Sequence, residues 1–238
     1  MKLPVESIAA YPENMLAAKK SRLFEKIFAL YNRNLLKRRF HSYQVSGLDY
    51  LINKNPYIPL LIYANHTSWW DGLLAFEISR AARLDSFIMM DELNLRRFFL
   101  FQRLGAFSIS RDFRGMRESI KYSADLMLAD SNRTLWIFPQ AEIVPTDFRP
   151  IHFYNGAARI VEKVGKCFTV PLAFRLEFTG EFKPEIFVNI GKPNLLETDK
   201  GFNSKSLTAD FPKIMTSLLD ELKFDVINKK TAHYRKFW

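Results

Sequence analysis

The chain has 238 residues, 48 % of them hydrophobic, and a formal net charge of +10 at pH 7. That is enough apolar material for one domain with a small appendage, and it excludes bulk disorder. A single cysteine, Cys167, excludes an internal disulfide and leaves no Cys/His spacing for zinc, so no metal ligands are expected. No run approaches the roughly 18–20 continuous apolar residues of a membrane span, and Met1-Lys2-Leu3-Pro4-Val5-Glu6 is followed by no apolar signal-peptide core.

In chain order, residues 14–40 read as one long helix. Leu16, Leu23, Ile27, Leu30, Tyr31, Leu35 and Leu36 follow helical spacing, and Phe24 and Phe28 widen the apolar face. The first 40 residues carry nine Lys/Arg against three Glu. Two placements stay open for this helix: apolar side down in an anionic membrane interface, or packed on the domain with its basic face in water. Strands are expected at 43–46, 60–63, 86–90, 106–109, 134–138, 168–174 and 185–190. Helices are expected at 72–82, 93–104, 116–129, 154–164 and 207–224. This alternation predicts an α/β fold, a mixed central sheet covered by helices on both faces. Residues 1–41 form the N-terminal amphipathic extension and 42–238 the main domain. The basic tail 229–238 is expected to fray or to touch a membrane. Cys167 lies in an apolar run before Val170 and reads as a core residue.

His66 and Asp71 stand five positions apart after the apolar run 58–63, where a strand turns into a helix. A carboxylate one turn from an imidazole can accept a hydrogen bond from one ring nitrogen and leave the other as a base. The structural alternative makes Asp71 the N-cap of the helix and His66 a loop histidine bonded to backbone. Three further segments follow in order: Gly105-Ala106-Phe107-Ser108-Ile109-Ser110-Arg111, then Phe138-Pro139-Gln140-Ala141-Glu142, then Val170-Pro171. Each follows or ends an expected strand, and strand ends on one edge of an open α/β sheet converge on the ligand site.

These four blocks together resemble the PlsC-like superfamily of glycerolipid and lysophospholipid acyltransferases, over about residues 45–193. The family pattern is His-x4-Asp, Gly-x-x-x-(Ile/Val)-x-Arg, Phe-Pro-Glu-Gly and Val-Pro. The third block departs, because Gln140 stands for Glu and Ala141 for Gly, and the Thr-Arg-Ser that follows in the family is replaced by Glu142-Ile143-Val144. The resemblance implies His66 as general base oriented by Asp71, with Arg111 and Gly105 on the substrate side. It also implies Phe138, Pro139, Gln140 and Ala141 beside the acyl acceptor. Two readings stay open for each of two further residues: Glu142 is a displaced version of the missing carboxylate or a solvent-facing loop residue, and Arg149, before Pro150, supplies the missing positive charge from a longer loop or is a solvated loop arginine. The implied reaction moves a fatty acyl group from acyl-CoA or acyl carrier protein, used as co-substrate without a further cofactor, to a lipid hydroxyl. The implied place is peripheral, on the cytoplasmic side of a membrane. The altered third block leaves two alternatives open: a non-phosphorylated acceptor, such as a glycolipid, a glycosylated carotenoid or an amino-acid lipid, or a non-catalytic membrane-binding relative. Nucleic acid is not expected as a partner, since no helix-turn-helix, zinc or RNA-recognition signature accompanies the charge.

Overall fold

The structure is a computed structural model and describes residues 15–110, 112–199 and 202–238. The strands are β1 (Tyr43–Ser46), β2 (Leu60–Ala64), β3 (Asp85–Asp91), β4 (Ala106–Ile109), β5 (Arg133–Ile137), β6 (Lys166–Glu177), β7 (Glu185–Ile190), β8 (Asn194–Glu197) and β9 (Arg235–Lys236). The α-helices are α1 (Arg22–Arg39), α2 (Asp49–Ile52), α3 (Asp71–Ala81), α4 (Glu92–Arg97), α5 (Phe113–Ala129), α6 (Gly156–Val164) and α7 (Ser204–Ile227).

The strands make one mixed sheet in the order β4-β3-β5-β2-β6-β7-β1-β9, with β8 paired to β6 beside this path. β4, β3, β5, β2 and the first half of β6 run parallel, and β7 returns antiparallel along the second half of β6. Buried parallel strands are apolar on both faces, and here successive residues feed two cores. Leu61 and Tyr63 of β2 join Leu135, Ile137 and the apolar sides of α5, α6 and α7. Leu60, Ile62 and Ala64 join Trp136, Leu36 of α1, Leu51 of α2, and Leu74 and Ile78 of α3. Helices therefore cover both faces, as the alternating pattern predicts.

Three local expectations are corrected. The helix expected from residue 14 begins at Arg22, where the Ser21 side chain accepts from the Phe24 N–H. Residues before it are held by β4 and α5: Ser108 N–H of β4 donates to Leu16 O (2.9 Å), and Ala18 N–H donates to the Tyr122 hydroxyl of α5 (3.1 Å). Tertiary hydrogen bonds override the helix propensity of Leu16-Ala17-Ala18-Lys19-Lys20. The helix expected at 93–104 breaks at Phe98 into α4 and a 3-10 helix, Phe99–Leu104. Eclipsed i, i+3 side chains suit that tighter winding: Phe98 and Phe101 stack at 5.8 Å. The tail is not frayed, since Phe237 N–H donates to Tyr43 O (2.8 Å) and Trp238 packs against the Tyr43 ring. The sequence reading missed the short elements α2, β8 and β9.

Candidate active site

The site forms where β2 ends. Asn65, the first residue past the strand, continues the ladder with its side chain. Its Oδ1 accepts from Phe174 N–H (2.7 Å) and its Nδ2 donates to Phe174 O (3.0 Å). The strand end is thereby locked to β6, and the next residue is His66.

Both backbone groups of His66 are held by the segment after β5. Its N–H donates to Gln140 Oε1 (2.7 Å), and its carbonyl accepts from Val144 N–H (2.9 Å). The imidazole stacks on Phe138, centroids 4.7 Å apart at 27°. Its Nδ1 lies 2.8 Å from Asp71 Oδ2, and the ring keeps 25 % of its surface exposed while the carboxylate is fully buried.

Asp71 opens α3, and its carboxylate is saturated by the preceding turn. Thr67 N–H (2.6 Å) and Ser68 N–H (2.9 Å) donate to Oδ2, and the Ser68 hydroxyl (2.6 Å) donates to Oδ1. A buried charge needs such partners, and the N-terminal end of a helix favours the anion. Asp71 thus has the capping role and the histidine contact at once. A carboxylate only accepts, so Nδ1 carries a proton, and in the neutral imidazole Nε2 presents its lone pair. No described residue hydrogen-bonds Nε2.

The third block is a β-turn. Ala141 N–H donates to Phe138 O (3.0 Å), with Pro139 at the position its fixed φ prefers. Ala141 has φ +59, a conformation that costs a non-glycine residue about 1–2 kcal/mol and that the family's glycine meets without cost. Pro139 and Gln140 are buried, whereas Ala141 and Glu142 are exposed at the rim. Beyond the turn, the Thr146 and Thr67 hydroxyls meet at 2.6 Å. Asp147 is held by Arg175 of β6 (3.0 Å) and Lys223 of α7 (3.3 Å). The Arg175 hydrogen bonds hold the Asp147 carboxyl below the usual carboxylate range.

The structure brings His66, Asp71, Phe138 and Gln140 together. Arg149 is turned elsewhere: its guanidinium donates to Thr146 O (2.8 Å), Phe148 O (3.0 Å) and Asp220 of α7 (2.9 Å). Gly105 precedes β4, at the strand end opposite to the edge that carries His66 in this parallel part of the sheet. Its φ is +99, and a Cβ there would lie 2.6 Å from Ser86 O, so a backbone approach accounts for the glycine. Arg111 lies outside the described residues. Sequence reasoning missed Asn65, Thr67, Ser68 and Thr146 as parts of the frame. Ser68, three residues before a helix-opening Asp, was a readable cue; the Asn65 bridge needed the β2–β6 register.

A comparison with curated proteins finds no match. A family model described as Acyltransferase matches residues 42–175, from just before β1 nearly to the end of β6, and this stretch holds the whole frame around His66. More than half of the chain is covered, and the chain belongs to the PlsC-like glycerolipid acyltransferase family and is an acyltransferase.

Proposed function

We propose that the chain transfers a fatty acyl group from a thioester, acyl-CoA or acyl carrier protein, to a hydroxyl of a lipid acceptor, with His66 as general base. The observation that carries this reading is the 2.8 Å contact between His66 Nδ1 and the buried, four-fold hydrogen-bonded Asp71 carboxylate, with Nε2 left open. Nε2 takes the proton from the acceptor hydroxyl as its oxygen attacks the thioester carbonyl. Asp71 stabilises the imidazolium formed. The tetrahedral intermediate collapses with cleavage of the C–S bond, and the imidazolium proton goes to the departing thiolate. No acyl-enzyme is needed. Cys167 is fully buried, and burial pushes its thiol up to about 12, so it offers no thiolate near neutral pH.

Phe138 and Pro139 wall the histidine, and Ala141 and Glu142 form the exposed rim where the acceptor enters. Gln140 gives its oxygen to His66 N–H, and no described residue accepts from its amide nitrogen, which is left to meet an acceptor hydroxyl. Arg111 takes the role that the resemblance implies, binding phosphate or supporting the oxyanion. Because Arg149 is engaged by its own loop and Asp220, a non-phosphorylated acceptor is favoured as the second reading.

Membrane contact is part of the proposal. Among the described residues no helix is long and apolar enough to cross a membrane. Yet α1 exposes Leu23 (70 %), Ile27 (59 %), Leu30 (71 %) and Tyr31 (60 %) on one face, with Lys26, Arg33 and Lys37 beside them. Ring contacts continue this patch from Tyr31 through Phe28, Phe101 and Phe98 to Trp69, three residues from His66. An acceptor lipid reaching the base from a membrane surface would follow that path.

The test incubates the purified protein, and separately His66→Ala, with labelled acyl-CoA or acyl carrier protein and a total lipid extract. A new acylated lipid, read by mass and lost in His66→Ala, is expected. An equal yield from His66→Ala would overturn the mechanism.

A further inference from the structure

On the face of the sheet opposite to α1, α5 and α6 border an open groove of about 530 Å³ lined by Phe113, Arg114, Arg117, Glu118, Lys121 and Lys163. Four cations face one carboxylate there. Arg114, Arg117 and Lys121 stand at i, i+3 and i+7, so they form one stripe along α5, about 10 Å long at the helical rise. Lys121 is held by Asp125 (3.0 Å), whereas neither arginine pairs with a carboxylate among the described residues. Phe113, at the end of the stripe, is 83 % exposed. An exposed aromatic ring among cations is the composition of an interface that receives an acidic partner.

We propose that this groove docks an acyl carrier protein, a small acidic protein that brings its acyl group as a thioester on a pantetheine arm. The inference rests on the acyltransferase mechanism proposed above and selects between its two donors. Three observations carry it. First, the cations are drawn out in a line, which fits the carboxylates of a protein surface better than the compact phosphate cluster of a nucleotide. Second, the first turn of α5 follows β4, at the same edge of the sheet as His66. β4 lies three strand spacings from β2, about 14 Å, a gap that a pantetheine arm crosses. Third, α5 and α1 lie on opposite faces of the sheet, so a molecule seated on lipid through α1 turns the α5 groove to the aqueous side. A soluble donor then arrives from water while the acceptor arrives from the membrane.

The test measures binding of a fluorescently labelled holo-acyl carrier protein to the full-length protein, and steady-state transfer from hexadecanoyl-carrier protein and hexadecanoyl-CoA. Arg114→Glu/Arg117→Glu is the variant. Lys229→Glu/Lys230→Glu, past the end of α7 and outside the groove lining, controls for net charge, and thermal unfolding checks the fold. Expected are salt-sensitive binding, a loss of affinity of about tenfold or more in the α5 variant, and a matching rise in KM for the carrier-protein donor. KM for the CoA donor and kcat stay unchanged, and the control binds normally. The proposal is overturned if the carrier protein does not bind, if the α5 variant binds it normally, or if KM rises equally for both donors. It is also overturned if the variant loses only affinity for anionic vesicles. Turnover of neither thioester, with binding that still depends on Arg114 and Arg117, would remove the transfer mechanism and leave the docking surface standing.

Discussion

Asp71 gathers four hydrogen bonds on one buried carboxylate, three from the turn it shapes and one from His66. Its charge serves the turn and the imidazole together, so Asp71→Asn separates shape from charge. An amide of the same size presents a donor where Nδ1–H needs an acceptor and favours the wrong tautomer. Such a change is expected to lower kcat by about 10³–10⁴-fold with little change in KM, the magnitude seen when a triad carboxylate is replaced this way. Steady-state kinetics check it, and a kcat within a few-fold of the parent would remove Asp71 from the mechanism. The spacing of His66 and Asp71 made this pair legible in sequence. The role of Gln140 was not, because the oxygen that could face an acceptor accepts from a backbone N–H contributed by a residue 74 positions away.

At the scale of elements, the segment after β5 acts as a clasp over His66, fixed from behind. Asp147 ties it to Arg175 and Lys223, and Arg149 ties it to Asp220. The Arg175 hydrogen bonds lower the folded-state pKa of Asp147. A depressed carboxyl contributes stability above its unfolded value, about 3.9, and that contribution is lost as pH falls through the lower folded value. Asp147→Asn is therefore expected to flatten the acid limb of the unfolding profile below about pH 4 and to raise hydrogen exchange over residues 142–149. An unchanged profile and exchange pattern would show that the carboxylate does not secure the clasp. Gly105 offers a contrasting test. With a Cβ 2.6 Å from Ser86 O and a φ of +99, Gly105→Ala is expected to destabilise the protein by ~1–3 kcal/mol in urea titrations while KM stays unchanged. A raised KM at undiminished stability would return Gly105 to the substrate side. The helix read from residue 14 shows where local propensity stops being informative. Leu16 to Lys20 would wind well in isolation, but Ser108 of β4, Tyr122 of α5 and Gln102 offer their backbone groups partners that no window of sequence contains.

Across the whole molecule, the layered fold was legible because apolar runs and helical stripes alternate with little interruption. The exceptions are elements of two to four residues, which fold only because larger ones surround them. Part of the basic charge lies on two surfaces with different chemistry: the apolar, basic-flanked face of α1, and the cationic groove on α5. Burying each Leu or Ile of α1 in lipid is worth ~1.5–3 kcal/mol, and each cation near an anionic surface about 1 kcal/mol. Leu23→Ser/Ile27→Ser/Leu30→Ser is thus expected to cut partitioning onto anionic vesicles by about a hundredfold or more, and added salt to weaken only the remaining electrostatic part. Equal sedimentation of parent and variant with vesicles would show that α1 is not the contact.

Leu16 hydrogen-bonds the outer edge of β4 at Ser108, and at the other end of the sheet β9 covers β1 with two exposed cations, Arg235 and Lys236. An uncovered strand recruits any extended peptide that meets it, including another copy of the same chain. With one boundary four residues long and met by Leu16, and the other shortened and charged, neither edge of the sheet offers a long row of free backbone groups. Recognition by this molecule is therefore left to side chains on helices and loops, and a form lacking residues 15–21 would leave the β4 edge at Ser108 open to a second copy.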